Sequence, residues 1–329
     1  MNAQAAHDAW LHIGRFIGRH MPIVILASLA AGIAFPDQLG SLRPFVPLMF
    51  AVMTFQNSLT ISFSKLKQAI TSPAPIIMVL LFAHAVMPVA AFGAGSLLFS
   101  GESDIIAGLV LEYSVPVATS MVMWVSLSRG NTATSLAILL GSTLICPFSI
   151  PFTLHALLGA SIEVNAVGMI GDMLFMVAIP ALAGFGLNEA TRGWAGRKLA
   201  FELSPLARLL IPLIVTVNTT GIAVYVRNPT PQLVAIVVFV GLFAAGAFLI
   251  GIGLAKATHR KNAEFAPVAF GCGMRNISAG SVIAASYFPA ETIFPVMAGV
   301  LFQQLLAATF GKIISRMTAS KNEEASARA

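Results

Sequence analysis

The chain has 329 residues, 57% of them hydrophobic and 10% Asp, Glu, Lys or Arg, with a mean hydropathy of +0.87. Soluble domains carry about 25% charged residues, so this composition excludes a protein that faces water over its whole surface; a lipid bilayer is the solvent that fits. The formal charge of +6 does not read as a nucleic-acid footprint, because the basic residues lie between apolar runs, and the two cysteines, Cys146 and Cys272, argue against a disulfide framework or a zinc site.

The first 20 residues hold Arg15, Arg19 and His20 ahead of an apolar run that starts at Met21. These are the flanks of a signal peptide, but no small-residue cleavage site follows Ala34, and the segment is expected to be retained. Apolar runs bounded by Pro, Gly or charge then predict ten transmembrane helices, at 21–36, 44–62, 73–99, 104–127, 131–158, 164–187, 206–226, 231–255, 264–287 and 290–316. The stretch 187–206 reads as a loop, and the polar end from about Ser320 as a frayed tail.

Charge placement tests the count. Sixteen of the 19 Lys and Arg residues, from Arg15 and Lys65 to Lys321 and Arg328, fall in alternate segments on the side of the N-terminus. Only Arg43 and Arg227 fall on the other side, with Asp37, Glu102, Asp104, Glu163 and Glu291, and Arg275 falls inside a span. A miscounted span would scramble this alternation, so both termini are expected in the cytoplasm, with a bacterial-type inner membrane as the location. Ten spans divide into a five-helix repeat (1–160), a second repeat (161–319) and a flexible tail (320–329). An odd number of spans per repeat inverts the second relative to the first, as in many secondary transporters.

The fourth span of each half carries a matching irregularity. Glu112-Tyr113-Ser114-Val115-Pro116 is followed by Thr119-Ser120 in one, and Gly271-Cys272-Gly273-Met274-Arg275-Asn276 lies in the other. Pro116 removes a backbone donor and disfavours helix at Val115, and the glycines make bending cheap. Ordinary kinks would explain either alone. Two in corresponding spans, beside polar residues, predict discontinuous helices at a binding site, because broken backbone in a membrane is tolerated only against protein or a water-filled cavity.

These segments resemble the bile acid:sodium symporter family. The resemblance is carried by Pro116 through Ser135, by G-C-G-M-R-N at 271–276, by Pro180-Ala-Leu-Ala-Gly184 and by F-P-V-M-A-G-V-L-F-Q-Q at 294–304, and covers the whole chain in span number and order. It implies an all-α membrane protein of two inverted five-helix repeats, with a panel and a core domain each built from both. It also implies that the fourth and ninth helices cross at unwound centres, with substrate and sodium sites around the crossing. The carry-over is partial. Where typical members have a Ser-Asn pair in the fourth span, this chain has Met121 and Val122; where they have Glu and Gln in the ninth, it has Gly271 and Arg275. Ser135, Asn276, Gln303 and Gln304 are retained. With a carboxylate lost and a permanent cation gained, at least one of the family's two sodium sites is expected to be absent.

Arg275 is the most informative residue. A charge at the bilayer centre costs at least about 2.5–3.5 kcal/mol, so it should face a cavity or a partner. It reads either as a clamp on a carboxylate or sulfonate or as one half of an ion pair with Glu112. Glu112 reads as that counter-ion, as a proton carrier or as a cation ligand. The expected substrate-binding set is Arg275, Asn276, Thr119, Ser120, Gln303 and Gln304, with Glu112 and Ser135 as ion-coupling candidates. His84 and Asp172 read more simply as hydrogen-bonded core and vestibule residues. Gln56-Asn57-Ser58 and Asn218-Thr219-Thr220, at corresponding positions in the halves, either line a path or glue helices together. No cofactor is expected beyond a sodium ion at Ser135, and no partner beyond lipid and substrate; the oligomeric state is left open.

The function expected is alternating-access transport of a small or amphipathic organic anion (bile-acid-like, pantoate-like or a keto acid), cation-coupled uptake with an altered sodium site. A proton-coupled or sodium-independent carrier is the alternative. A membrane-embedded enzyme is disfavoured by the lack of any nucleophile–base set, H-E-x-x-H or G-x-S-x-G motif. A channel is disfavoured by the inverted pairing of broken spans, and a sensor by loops too short for an output domain.

Overall fold

The structure, a computed structural model, describes residues 3–159, 165–258 and 262–327. Among these residues there is no β-strand, and the one isolated β-bridge joins Val117 to Arg275. Glu163, Arg260, Lys261 and Arg328, used above in the charge argument, lie outside the described residues, as does the expected boundary between the repeats at 160–161.

The helices, numbered in chain order, are α1 (Ala3–Arg19), α2 (Met21–Ala34), α3 (Val46–Ser58), α4 (Phe63–Ile70), α5 (Ala74–Leu98), α6 (Ser103–Ser114), α7 (Met121–Leu127) and α8 (Thr132–Leu158). They continue as α9 (Ala166–Ala190), α10 (Ala195–Arg227), α11 (Pro231–Ala257), α12 (Asn262–Gly273), α13 (Ile277–Tyr287) and α14 (Ala290–Ala327). Side-chain caps start three of the long ones. Asn131 accepts from Ala133 N and Thr134 N, Asn165 from Gly168 N, and Thr230 from Leu233 N. Prolines within α5 and α9 are absorbed by a wide π-helical turn, Phe82–Val86 ahead of Pro88 and Leu174–Ala178 ahead of Pro180. A proline has no N–H and crowds the turn before it, and the wider turn gives that crowding room.

Six helices (α5, α8, α9, α10, α11 and α14) are long and apolar enough to cross a membrane, or eight with two bent pairs counted as one span each. Of the remaining four expected spans, the first and second correspond to the shorter helices α2 and α3, of 14 and 13 residues, and the other two are broken. The fourth is split into α6 and α7, of 12 and 7 residues, and the ninth into α12 and α13, of 12 and 11; an unbroken span needs about 20. The outer surface is dressed with large apolar side chains, among them Leu97, Phe152, Val167 and Leu242, each at least 70% exposed, a surface that lipid, not water, would cover.

Two sequence expectations are corrected, and one segment gains a structure the sequence did not suggest. The presumed loop at 187–206 is mostly helix, because α9 runs to Ala190 and α10 starts at Ala195. A tight turn suffices between them, with Arg192 and Gly193 in the left-handed region at φ 51 and 80. The segment from Ser320 continues α14 as far as Ala327, since no Gly or Pro follows Gly311 and Ala, Lys and Glu favour helix. Residues 3–19, for which no helix was expected, form a helix laid on α10, where Trp10 Nε1 donates to Glu202 O at 3.0 Å and Arg208 Nη1 to Gly14 O at 3.0 Å.

Packing places the broken helices at the centre. α6 lies against α5 and α14, α12 against α11 and α14, and α13 against α14, while α2 and α3 pack on α10 and α9. Small residues permit the closest crossings: Gly108 of α6 faces the carbonyl of Thr292 at the start of α14, and Gly184 of α9 faces that of Phe55 in α3.

Candidate functional site

Every residue of α6 from Ile105 to Ser114 is buried, so its end lies deep in the molecule. Val115 turns extended (φ −65, ψ 157) ahead of Pro116, as the preceding-proline rule requires. On the other side α12 ends at Gly273, and Asn276 caps α13 by accepting from Ala279 N at 3.3 Å. The two interruptions meet. Asn276 N donates to Pro116 O at 2.7 Å, Ala118 N donates to Met274 O at 3.4 Å, and Val117 stands antiparallel to Arg275. Backbone groups released by one break are thus satisfied by the other, which is how irregular backbone survives away from water.

A third element supports the crossing. Ser142 of α8 accepts from Val117 N at 2.9 Å, and His84 Nε2 lies 2.8 Å from the same hydroxyl. The other ring nitrogen lies 3.0 Å from Ser149 Oγ. Since Ser142 accepts the backbone proton, its own proton is free for Nε2, and Nδ1–H can donate to Ser149. His84 is therefore a buttress of the crossing.

Arg275 is 3% exposed. Its Nη1 donates to Gly271 O at 3.1 Å and Met274 O at 3.0 Å, while Nε and Nη2 have no hydrogen-bond partner. Glu112, also 3% exposed, has no partner for Oε2. The two do not form an ion pair: among the described residues the salt bridges within 4.0 Å are those of His7. Both instead line a cavity of about 10 Å³, with Tyr113, Phe248, Gly273 and Gln303; that is about the space one water occupies. Gly299 lets Glu112 approach α14, for a Cβ there would strike Glu112 Oε1. Tyr113 is held by donating to Val240 O at 3.0 Å.

The expected site residues divide into groups. Arg275, Glu112 and Gln303 share the cavity. Thr119, Ser120 and Asn276 are half-buried parts of the crossing strands. Gln304 is exposed and does not line the cavity, because neighbours on a helix point about 100° apart. Ser135 is fully buried in the first turn of α8, donating to Asn131 O at 3.1 Å, and does not line the cavity either. Gln56 donates to Ala200 O at 3.0 Å and Asn218 to Ser281 Oγ at 2.7 Å, so both polar clusters join helices. Asp172 accepts from Tyr287 OH.

One residue escaped the sequence reading. Glu264, in the first turn of α12, is 8% exposed, and its Oε1 accepts from Asn131 Nδ2 at 2.7 Å and Thr134 Oγ1 at 3.1 Å. An acid in the first turn of an apolar helix is ordinary dipole chemistry; only the fold shows that a second helix start, that of α8, meets it.

A larger cavity of about 330 Å³, lined by Leu29, Ile33, Val237, Phe294, Met297 and others between α2, α10, α11 and α14, touches neither Arg275 nor the crossing. Its walls offer almost nothing to orient an anion, and we place no site there.

Comparison with known proteins gives a consistent grouping. A sequence profile of the sodium bile acid symporter family matches residues 47–229. The uncharacterized protein YbaS of Bacillus subtilis (strain 168) is 34% identical over 300 residues, 90% of this chain and 97% of that protein. The uncharacterized sodium-dependent transporter YocS of the same organism is 22% identical, covering 86% of this chain and 87% of YocS. A probable sodium/metabolite cotransporter, BASS1 of Oryza sativa subsp. japonica, a chloroplastic protein, is 24% identical over 85% of this chain and 68% of its own length.

Proposed function

The chain belongs to the sodium bile acid symporter family, a family of membrane transporters and not of enzymes, and from that premise we propose that it takes up a small or amphipathic organic anion by alternating access. The observation that carries the substrate class is Arg275, a permanent cation nearly enclosed by protein that lines a cavity and has two guanidinium nitrogens unpartnered. Charged hydrogen bonds contribute about 1.5–3 kcal/mol each, and leaving such donors unmade costs at least as much. A carboxylate or sulfonate presenting two oxygens would satisfy both. Thr119, Ser120, Asn276 and Gln303 would complete its surroundings.

The cavity is too small for such a ligand, so the described conformation is one in which the arginine is shut away. Binding requires the walls, α6, α11, α13 and α14, to separate, which is the motion alternating access supplies. The frame for that motion is ten spans in two inverted repeats, 1–160 and 161–319, with α6/α7 and α12/α13 as broken fourth and ninth spans. Both termini would be cytoplasmic and the membrane a bacterial inner membrane.

Coupling is to a cation, on an altered site. The position at which the family resemblance puts a carboxylate is Gly271, and a Cβ there would meet Val79 Cγ1 at 2.7 Å and Met121 Sδ at 3.5 Å; the carboxylate is missing and apolar atoms stand nearest to where it would start. The partnerless Oε2 of Glu112 supports a second reading, in which this carboxylate carries a proton or is displaced by the arriving anion. Uptake of labelled taurocholate, pantoate and a 2-oxo acid into proteoliposomes, with imposed sodium and proton gradients, tests the proposal. Gradient-driven accumulation of at least one, lost in Arg275→Gln, is expected; no accumulation of any anion would sink it.

A further inference from the structure

We infer that the buried carboxylate of Glu264 is a sodium-binding site, separate from the Arg275 cavity. As the coupling site of the transporter it rests on the reading above; as an ion site it stands on its own geometry. Glu264 is 8% exposed, and its Oε2 is buried without a partner. Its other oxygen takes two neutral donors, Asn131 Nδ2 and Thr134 Oγ1. Among the described residues no Lys, Arg or His nitrogen lies within 4.0 Å of it. Neutral donors lower the cost of a buried anion but do not cancel its charge.

The alternative is purely structural, a carboxylate seated at the start of α8. Asn131 already caps α8 through Ala133 N and Thr134 N, and Asn131 N is tied to α12 by Ala263 O at 2.7 Å. Neither bond needs Oε2, which that role leaves unexplained. Thr134 Oγ1 sets an oxygen directly beside the carboxylate, and the next hydroxyl along α8, that of Ser135, donates to the carbonyl of the same Asn131 whose amide holds Glu264. Hard oxygen donors around a carboxylate suit a hard cation.

The placement gives the ion something to control. Glu264 begins α12, and Arg275 lies just beyond its end. Eleven residues of helix separate their sites by roughly 16 Å at 1.5 Å per residue. An ion that fastens the start of α12 to the start of α8 fixes the same rigid half-helix whose far end presents the arginine. The two sites are then linked through one element, and the linkage is reciprocal.

The test is thermal unfolding of the purified full-length protein in sodium chloride against potassium chloride at equal ionic strength, since a ligand of the folded state raises Tm with its concentration. Wild type is expected to show a saturable, sodium-specific rise of several degrees. Glu264→Gln should move the sodium midpoint at least tenfold higher, and Thr134→Val and Glu264→Asp several-fold. The absence of any sodium-specific rise in wild type overturns the site. So does a wild-type midpoint in Glu264→Gln, or, should that variant not fold, in both Thr134→Val and Glu264→Asp. The same samples are titrated with taurocholate, pantoate and a 2-oxo acid in potassium buffer. An anion-dependent rise without a sodium-dependent one overturns the ion site alone. A sodium-dependent rise without any anion effect overturns the transport reading and leaves the ion site standing.

Discussion

A guanidinium fork matches a carboxylate in a way an ammonium cannot, so the two conservative replacements of Arg275 separate charge from shape. Arg275→Gln should weaken organic-anion binding at least tenfold, which is about 1.4 kcal/mol, and Arg275→Lys should fall between it and wild type. Isothermal titration in detergent measures both, and equal affinities for all three proteins would show that the anion does not touch residue 275. Glu112 faces the same cavity without pairing with Arg275. If Glu112 stands as an ionised counter-ion, Glu112→Gln removes a negative charge from that space and should raise anion affinity a few-fold. If Glu112 is the proton carrier, the same variant also makes uptake in proteoliposomes insensitive to a pH gradient; if it is only a counter-ion, the sodium dependence of uptake stays as in wild type.

At the level of elements, α8 and α13 start with the same device, an asparagine cap, but Asn131 has an additional bond to Glu264. Losing a cap costs about 1 kcal/mol. Asn131→Ala should therefore lower Tm by more than Asn276→Ala, and the reverse order would show that the Asn131–Glu264 bond adds no stability. Elements of this kind were legible in the sequence to different degrees. The ends of α5, α8 and α11 fall within two residues of the expected 73–99, 131–158 and 231–255, because long apolar runs end abruptly at Pro, Gly or charge. The breaks at Pro116 and Gly273 were visible for the same local reason. Charges at 187–206 looked like a loop only because a membrane-spanning pattern was assumed to end where charge begins, whereas α10 carries its charged first turns as helix. Which strands would meet at the crossing, and that Asn131 would reach Glu264, depends on contacts between the two halves and has no local signature.

On the scale of the whole molecule, the two native thiols, Cys146 and Cys272, are fully buried, so the protein offers a quiet background for labelling. Lys67 and Asn228 are both exposed and lie on opposite faces in the proposed topology. A membrane-impermeant maleimide should label Lys67→Cys only from the cytoplasmic side and Asn228→Cys only from the other, in cells and in inverted vesicles respectively reversed; labelling of both from one side would refute the inverted arrangement. The reciprocal bonds at the crossing carry one more consequence. The amide of Asn276 is guarded by Pro116 and that of Ala118 by Met274, so neither stretch can release its proton to solvent while the other keeps its place. Deuterium should enter both amides at a common rate, slowed together by any ligand that clasps the pair, so that two peptides remote in the chain would report as one clock on the opening of the molecule.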